Sequence, residues 1–217
     1  MRLVEKDILS FACVWFDRLF AGKFRGRVYL AGGAFKSVLH GRPPNDLDLF
    51  AATDPGRQAL LDILQQNGAI ILQDNKPYQT ILSWHGQRVE LAYSTQYQTL
   101  SERLAQFDLD LSAVGVEYDD GRLHPEIHPV ARESLVSGEV LLIKPLKNWK
   151  YVLATLERMR RYARELDLVL PKAEINYIWS IFEDQPLEMQ RGMIERFRLV
   201  GRDTQAIQKE AECRIHP

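Results

Sequence analysis

The stretch VYLAGGAFKSVLHGRPPNDLDLF occupies residues 28–50. Its short apolar run ends in the glycine pair Gly32-Gly33, and residues 34–40 suit a short helix that the following glycine and prolines end. The alternation of residues 47–51, LDLFA, predicts a strand. A strand, a glycine pair, a helix and an acidic strand therefore follow one another here, and the rest of the interpretation builds on this order.

Two acids lie two residues apart at the start of the predicted strand. Side chains at i and i+2 point to the same face, so the carboxylates of Asp46 and Asp48 repel each other unless a cation lies between them. Oxygen ligands of this kind suit Mg²⁺, and metal-assisted phosphoryl displacement needs such fixed carboxylates. The glycines let the backbone approach a triphosphate closely. The alternative is a plain turn beside a solvated acidic edge, because short motifs of this kind also occur by chance.

The remaining pattern predicts a mixed sheet with flanking helices, followed by a helical region. Apolar residues at helical spacing predict a first helix from Val4 to Leu19. Asp54-Pro55 predicts the start of another helix, with Asp54 as its N-cap, and Asn67-Gly68 ends it. Runs typical of strands, separated by turn-forming residues, occupy residues 69–73, 78–84, 88–94 and 111–118, the last leading into a hairpin turn at Asp119-Asp120-Gly121. From Trp149 onward the spacing predicts helices.

Composition limits the classes of function. The chain has 217 residues, with 28 basic against 29 acidic side chains and a net charge of -1, which argues against wholesale nonspecific nucleic-acid binding. The two cysteines form neither a disulfide framework nor a metal-ligand cluster, so we expect a cytoplasmic protein. No apolar run approaches the roughly 20 residues that span a bilayer, so no membrane partner is expected. The sequence leaves the oligomeric state open.

The order of these motifs resembles the DNA polymerase beta-type nucleotidyltransferases, and within them the CCA-adding enzymes and poly(A) polymerases. Residues 89–92, VELA, are similar to the family's strand that bears a third acid, here Glu90. Residues 107–111, FDLDL, and the following VGVEYDDGRL are similar to the family's next motif and hairpin. The resemblance covers roughly residues 24–124 and implies an α+β nucleotidyltransferase (head) domain at 1–143, with a helical C-terminal region at 144–217.

The resemblance also implies roles for individual residues. Asp46, Asp48 and Glu90 are expected to be catalytic and to bind Mg²⁺ or Mn²⁺. The substrate is expected to be a nucleoside triphosphate, held by the residues Gly32, Gly33, Lys36, Arg42 and Asp108. For Asp110 we instead favour the polar face of a strand.

The chain departs from the family's pattern at several positions. Lys36 stands where an arginine is usual and Ser37 where an aspartate is usual, and Ala105 and Gln106 stand where arginines precede the third motif. The acidic-plus-arginine motif that selects the incoming base in CCA-adding enzymes has no match, and the chain is about half the expected length. These departures favour a compact relative, such as a phage-encoded or toxin-like nucleotidyltransferase.

The predicted function is transfer of a nucleoside monophosphate to an acceptor hydroxyl, at a tRNA-like RNA end, with release of pyrophosphate. The alternatives are a degenerate member that binds nucleotide or RNA without chemistry, and a toxin or defence enzyme that acts on tRNA or protein. Residues 144–164 contain seven basic side chains against one acid, Glu157. This basic helix, Lys144–Arg164, is either an RNA contact or a solvated helix face.

Overall fold

The computed structural model describes residues 2–93, 99–201 and 204–215. The chain divides into two compact units. The first, called the sheet unit below, comprises Met1–Phe107 and Leu111–Ala131, and the second, called the helical unit, comprises Asp108–Asp110 and Arg132–Pro217. The predicted division at residue 143 stays a prediction.

The sheet unit is built on a mixed sheet with the strand order β3-β4-β5-β2-β1-β6-β7. Neighbouring strands are antiparallel except β2 and β5, which are parallel. The predicted α+β class with a mixed sheet is therefore confirmed. The strands are β1 (Arg27–Ala31), β2 (Asp46–Ala51), β3 (Ile70–Asn75), β4 (Gln79–Trp84), β5 (Gln87–Ala92), β6 (Val114–Asp119) and β7 (Arg122–Ile127).

Helices of the sheet unit cover the sheet and are α1 (Arg2–Phe20), α2 (Gly33–Leu39), α3 (Asp54–Gln66) and the short α4 (Leu100–Leu104). The first helix contacts both α2 and α3, and all three pack on sheet strands, so they form one layer. An aromatic cluster closes the core beneath α1, with ring centroids of Phe16, Phe20, Phe24 and Tyr118 between 5.0 and 5.9 Å apart.

The helical unit contains the long helix α6 and the helices that pack on it. A 3-10 turn at Trp149–Tyr151 leads into α6 (Val152–Leu166), which buries Val152, Leu153, Leu156 and Met159. Its apolar stripe contacts three later helices, which explains why this polar-looking helix is stable. The division between the units falls within α5 (Pro129–Ser137), and the later helices are α7 (Lys172–Glu183), α8 (Leu187–Val200) and α9 (Gln205–Ile215).

Three local predictions need correction or a limit. The N-cap of α3 is Thr53 rather than Asp54, since the Thr53 hydroxyl accepts a hydrogen bond from the Gly56 N–H at 3.1 Å. Asp110 begins a 3-10 turn and is fully buried, so its assignment to the polar face of a strand was wrong. Ser94, the last residue of the predicted strand 88–94, lies outside the described residues.

Candidate active site

Three carboxylates meet on one face of the central strands. Asp46 and Asp48 lie on β2, and Glu90 lies on the parallel neighbour β5 as the register partner of Asp48. Residues that alternate with the two aspartates, Leu47 and Leu49, are fully buried on the opposite face. The strand period of two therefore turns the acids away from the core and toward the same side of the sheet.

The first glycine of the pair is required by its contact with this face. Gly32 has a φ of 101°, a conformation that side chains disfavour, and it follows Ala31, the register partner of Asp48. A Cβ built on Gly32 would lie 2.6 Å from Asp48 Oδ2, whereas a Cβ on Gly33 would meet nothing within 4 Å. Gly32 thus lets the backbone reach the carboxylate, and Gly33 leaves open space at the start of α2.

The electrostatics of the face show how strongly these acids repel each other. Burial, followed by the negative charges of Asp46 and Glu90, raises the pKa of Asp48 from 3.8 to about 7. Arg103 and Arg88 oppose this rise but do not cancel it. A bound cation would relieve the repulsion among these acids, and clustered carboxylates of this kind form metal sites in proteins.

One arginine already serves one of the three acids. The Arg88 Nε lies 2.6 Å from Glu90 Oε1, and both side chains belong to β5. The Arg88 residue is also the register partner of Asp46 across the parallel pair. Glu90 therefore has a counter-charge within its own strand, whereas in the described part of the chain Asp46 and Asp48 have no counter-charge of comparable closeness.

The donor set fits a divalent ion at the two aspartates. Carboxylate oxygens on one strand face are the ligands that Mg²⁺ and Mn²⁺ prefer, and the charges of Asp46 and Glu90 add to burial in raising the pKa of Asp48. Across residues 2–93, 99–201 and 204–215, no group of three or more His, Cys, Asp and Glu side chains has the arrangement of a metal site. Glu90, the third acid of the face, pairs with Arg88 through its Oε1.

Arg103, a basic residue whose charge acts on Asp48, was not among the predicted site residues. Arg103 lies on α4, a helix fixed by a capping box in which Thr99 and Glu102 exchange hydrogen bonds. Its charge acts on Asp48, and its guanidinium lies over the ring of Phe50, with 4.2 Å between the Cζ and the ring centroid. The capping box was visible in the sequence, but the approach of α4 to β2 was not.

The two predicted triphosphate-binding cations differ in exposure. Lys36 is buried at 8% exposure in the last turn of α2, whereas Arg42 is exposed in the loop that precedes β2. Burial, and then the charges of both residues, lowers the pKa of His40. Both cations therefore lie close enough for their charges to act on His40. Their role in nucleotide binding stays a prediction.

Asp108, the remaining predicted nucleotide-binding residue, lies in the helical unit. Its buried carboxylate accepts a hydrogen bond from the Thr155 hydroxyl at 2.5 Å and pairs with Arg158 of α6. Two donors therefore already hold this carboxylate within its own unit. Contact between Asp108 and a nucleotide stays a prediction.

The predicted basic helix is largely neutralised by its neighbours. Lys144 pairs with Glu174, Arg158 with Asp108, Arg160 with Glu210 and Arg161 with Glu157. The exposed cations of the segment are Lys144, Lys147, Lys150 and Arg164, of which Lys144 is engaged in its pair. Most of its charge thus stabilises the helical unit itself.

No model of a protein family matches the sequence, and no curated protein sequence matches it. The described helices include none long and apolar enough to cross a membrane. Evidence for the class of fold therefore comes from solved structures.

Solved CCA-adding enzymes share this fold. The chain matches a CCA-adding enzyme in complex with ATP at a TM-score of 0.67 and 16% identity, over 98% of this chain and 54% of that chain. It matches the Thermotoga maritima CCA-adding enzyme complexed with tRNA at a TM-score of 0.62 and 14% identity, over 99% and 53%. A tRNA nucleotidyltransferase with a primer tRNA and an incoming ATP analogue gives 0.58 and 14%, over 86% and 55%.

These likenesses define the class of fold. The chain has the mixed-sheet nucleotidyltransferase fold with flanking helices, as the order of motifs predicted. It spans about half the length of the CCA-adding enzymes that it matches.

Proposed function

We propose that this chain is a metal-dependent nucleotidyltransferase that transfers a nucleoside monophosphate from an NTP to an acceptor hydroxyl, with release of pyrophosphate. The observation that carries the proposal is the face shared by Asp46, Asp48 and Glu90, where burial, followed by the charges of the other two acids, raises the pKa of Asp48 to about 7. The Asp48 carboxylate leaves no room for a side chain at Gly32. A plain solvated acidic edge would not need this close contact.

The chain's residues divide the work as follows. Asp46 and Asp48 hold Mg²⁺ or Mn²⁺, which when bound neutralises charge on the reacting phosphoryl group. Glu90, on the same face, accepts the proton of the acceptor hydroxyl. The open space at Gly33 and the amides that begin α2 receive the phosphates. Positioning and electrostatics supply most of the rate enhancement in such a site.

The acceptor that we propose is an RNA end. Two of the matched structures are complexes with tRNA, which supports an RNA substrate for a chain with their fold. Within the helical unit, Lys147 and Lys150 are exposed beside Trp149, with 5.5 Å between the Lys150 Nζ and the ring centroid. Trp149 is half-buried, and cations beside a partly exposed aromatic ring suit single-stranded nucleic acid. We therefore propose this turn, rather than the paired arginines of α6, as the RNA contact of the basic segment.

A transfer assay tests the proposal directly. The purified chain is incubated with Mg²⁺ or Mn²⁺, each α-labelled NTP in turn and total RNA. The comparison is an Asp46→Asn/Asp48→Asn variant, with Asp62→Asn, an exposed acid of α3, as the matched control. Label should pass to RNA with the wild type and with Asp62→Asn, and not with the double variant.

Each other result has a defined meaning. Label on added protein but not on RNA would replace the acceptor. Metal-dependent NTP binding without transfer would support a binding protein without chemistry, a reading favoured by the Arg88–Glu90 pair. Transfer that survives in the double variant, or neither binding nor transfer, would overturn the proposal.

A further inference from the structure

Arg103 is held in the sheet unit without a polar partner. Its Cζ lies 4.2 Å from the ring centroid of Phe50 and 5.1 Å from that of Phe107. Its Nε is buried and has no hydrogen-bond partner. Throughout the described chain, no carboxylate lies within ion-pair distance of this guanidinium, although Asp48 is close enough for its charge to act on Arg103. The side chain is thus fixed by aromatic rings rather than by an acceptor.

Such a position costs stability unless something else compensates for it. Burial lowers the pKa of Arg103, because the partly buried guanidinium loses hydration, and Asp48 only partly opposes this effect. A guanidinium presents several N–H donors in a planar fork that matches a phosphate. Its positive charge is also stabilised over the faces of aromatic rings. Arg103 is therefore a donor group prepared for an anion beside the acidic face.

We infer that Arg103 binds the phosphate chain of the nucleotide whose transfer is proposed above. This inference rests on the proposed function, since it names a residue that holds the same substrate. Arg103 lies in the last turn of α4, four residues before Phe107, whose ring it also contacts. Phe50, two residues after Asp48 on β2, fixes the guanidinium relative to the acids.

Equilibrium binding separates this role from a structural one. Affinity for ATP, inorganic pyrophosphate and adenosine is measured by calorimetry with Mg²⁺ for the wild type, Arg103→Ala and Arg103→Lys. Arg122→Ala is the matched control, because Arg122 is exposed on β7 at the end of the sheet opposite to Asp48. Circular dichroism and thermal unfolding verify that each variant folds.

Arg103→Ala should weaken ATP and pyrophosphate binding roughly ten- to hundredfold, as expected for loss of a charge-assisted hydrogen bond. Arg103→Lys should recover part of the loss, since a point charge replaces a bidentate donor. Adenosine binding should not change, and Arg122→Ala should behave as the wild type.

Pyrophosphate affinity that is unchanged in a folded Arg103→Ala or Arg103→Lys variant would overturn the inference and leave Arg103 as a counter-charge for Asp48. Equal loss for adenosine and pyrophosphate would also overturn it. If the wild type never transfers label but loses pyrophosphate affinity with Arg103→Ala, then the inference holds and the proposed transfer fails. The two claims can therefore fail separately.

Discussion

The acidic face of the sheet unit and the basic helix of the helical unit both look like binding surfaces in the sequence, but the structure treats their charges differently. On the acidic face, Asp46 and Asp48 lie side by side, and the pKa of Asp48 is raised to about 7. On the basic helix, Arg158, Arg160 and Arg161 each pair with a carboxylate of the same unit. One surface keeps unfavourable charge, and the other has neutralised it.

This difference supports the proposal that the acidic face serves chemistry, whereas the paired arginines serve folding. Burial of Asp48 beside two other carboxylates lowers stability, and such perturbed groups cluster at functional sites, which supports the proposed role of this face. Paired arginines such as Arg158 need no ligand to explain them. A count of charged residues alone would rank the basic helix, with seven cations against one acid, as the stronger candidate.

The largest effect is expected at Asp48. An Asp48→Asn substitution keeps the shape but removes a metal-binding charge, which is worth several kcal/mol, so transfer should fall roughly a thousandfold. The rate of label transfer to RNA measures this loss, and Asp62→Asn should leave the rate unchanged. Normal turnover in Asp48→Asn would mean that the acidic face is not the active site.

Substitutions in the glycine pair should give the next largest effect, and the two glycines should respond differently. Gly32→Ala forces a Cβ to 2.6 Å from Asp48 Oδ2 at a φ of 101°, so it should displace the carboxylate and lower transfer by roughly a hundredfold, a few kcal/mol. It should also lower the melting temperature. Gly33→Ala should leave the melting temperature unchanged, because its Cβ meets nothing within 4 Å, and should affect only nucleotide binding. Equal melting losses in both variants would contradict this division.

At the paired charges of the basic helix, stability rather than activity should respond. Asp108→Ala leaves Arg158 and Thr155 without their acceptor inside the helical unit, so we expect a loss of about 1–3 kcal/mol in the free energy of unfolding. Urea denaturation measures it. Lys147→Ala, at an exposed cation, should change stability by less than about 0.5 kcal/mol. If Lys147→Ala proved the more destabilising, the helix charges would not be structural.

The pH dependence of the free energy of unfolding should reflect the raised pKa of Asp48. Its folded-state pKa of about 7 exceeds the ordinary value of 3.8, so the folded chain binds more protons than the unfolded chain between these values. Wild-type stability without divalent cations should therefore fall relative to Asp48→Asn as the pH rises from about 4 to about 7. Urea midpoints across this range test the sign, and Mg²⁺ should reduce the difference. A constant difference between the two proteins would contradict the raised pKa.

Much of the fold and the acids of the site were predictable because local patterns encode them. The alternation of LDLFA placed Leu47 and Leu49 inside and the aspartates outside, and the structure follows it. Residues 88–92 alternate as well, which allowed the face of Glu90 to be proposed. The partners of these charges were not predictable. Arg158 meets Asp108 across 50 positions, and Arg103 on α4, which packs on β6 and β7, reaches the ring of Phe50 on β2, so both contacts depend on tertiary structure.

The smallest expected effect concerns Arg88. This arginine pairs with Glu90, so Glu90 is neutralised like the paired charges of the basic helix. If Arg88 competes with a cation for Glu90, Arg88→Gln should raise the affinity for Mn²⁺ by roughly tenfold, about 1.4 kcal/mol. The effect is modest because the Arg88 side chain is 45% exposed and solvent weakens its charge. Mn²⁺ binding is measured by electron paramagnetic resonance without nucleotide, with Arg122→Gln as the control. Weaker binding in Arg88→Gln would instead show that Arg88 holds Glu90 in place for the cation, and that this arginine belongs to the site rather than opposing it.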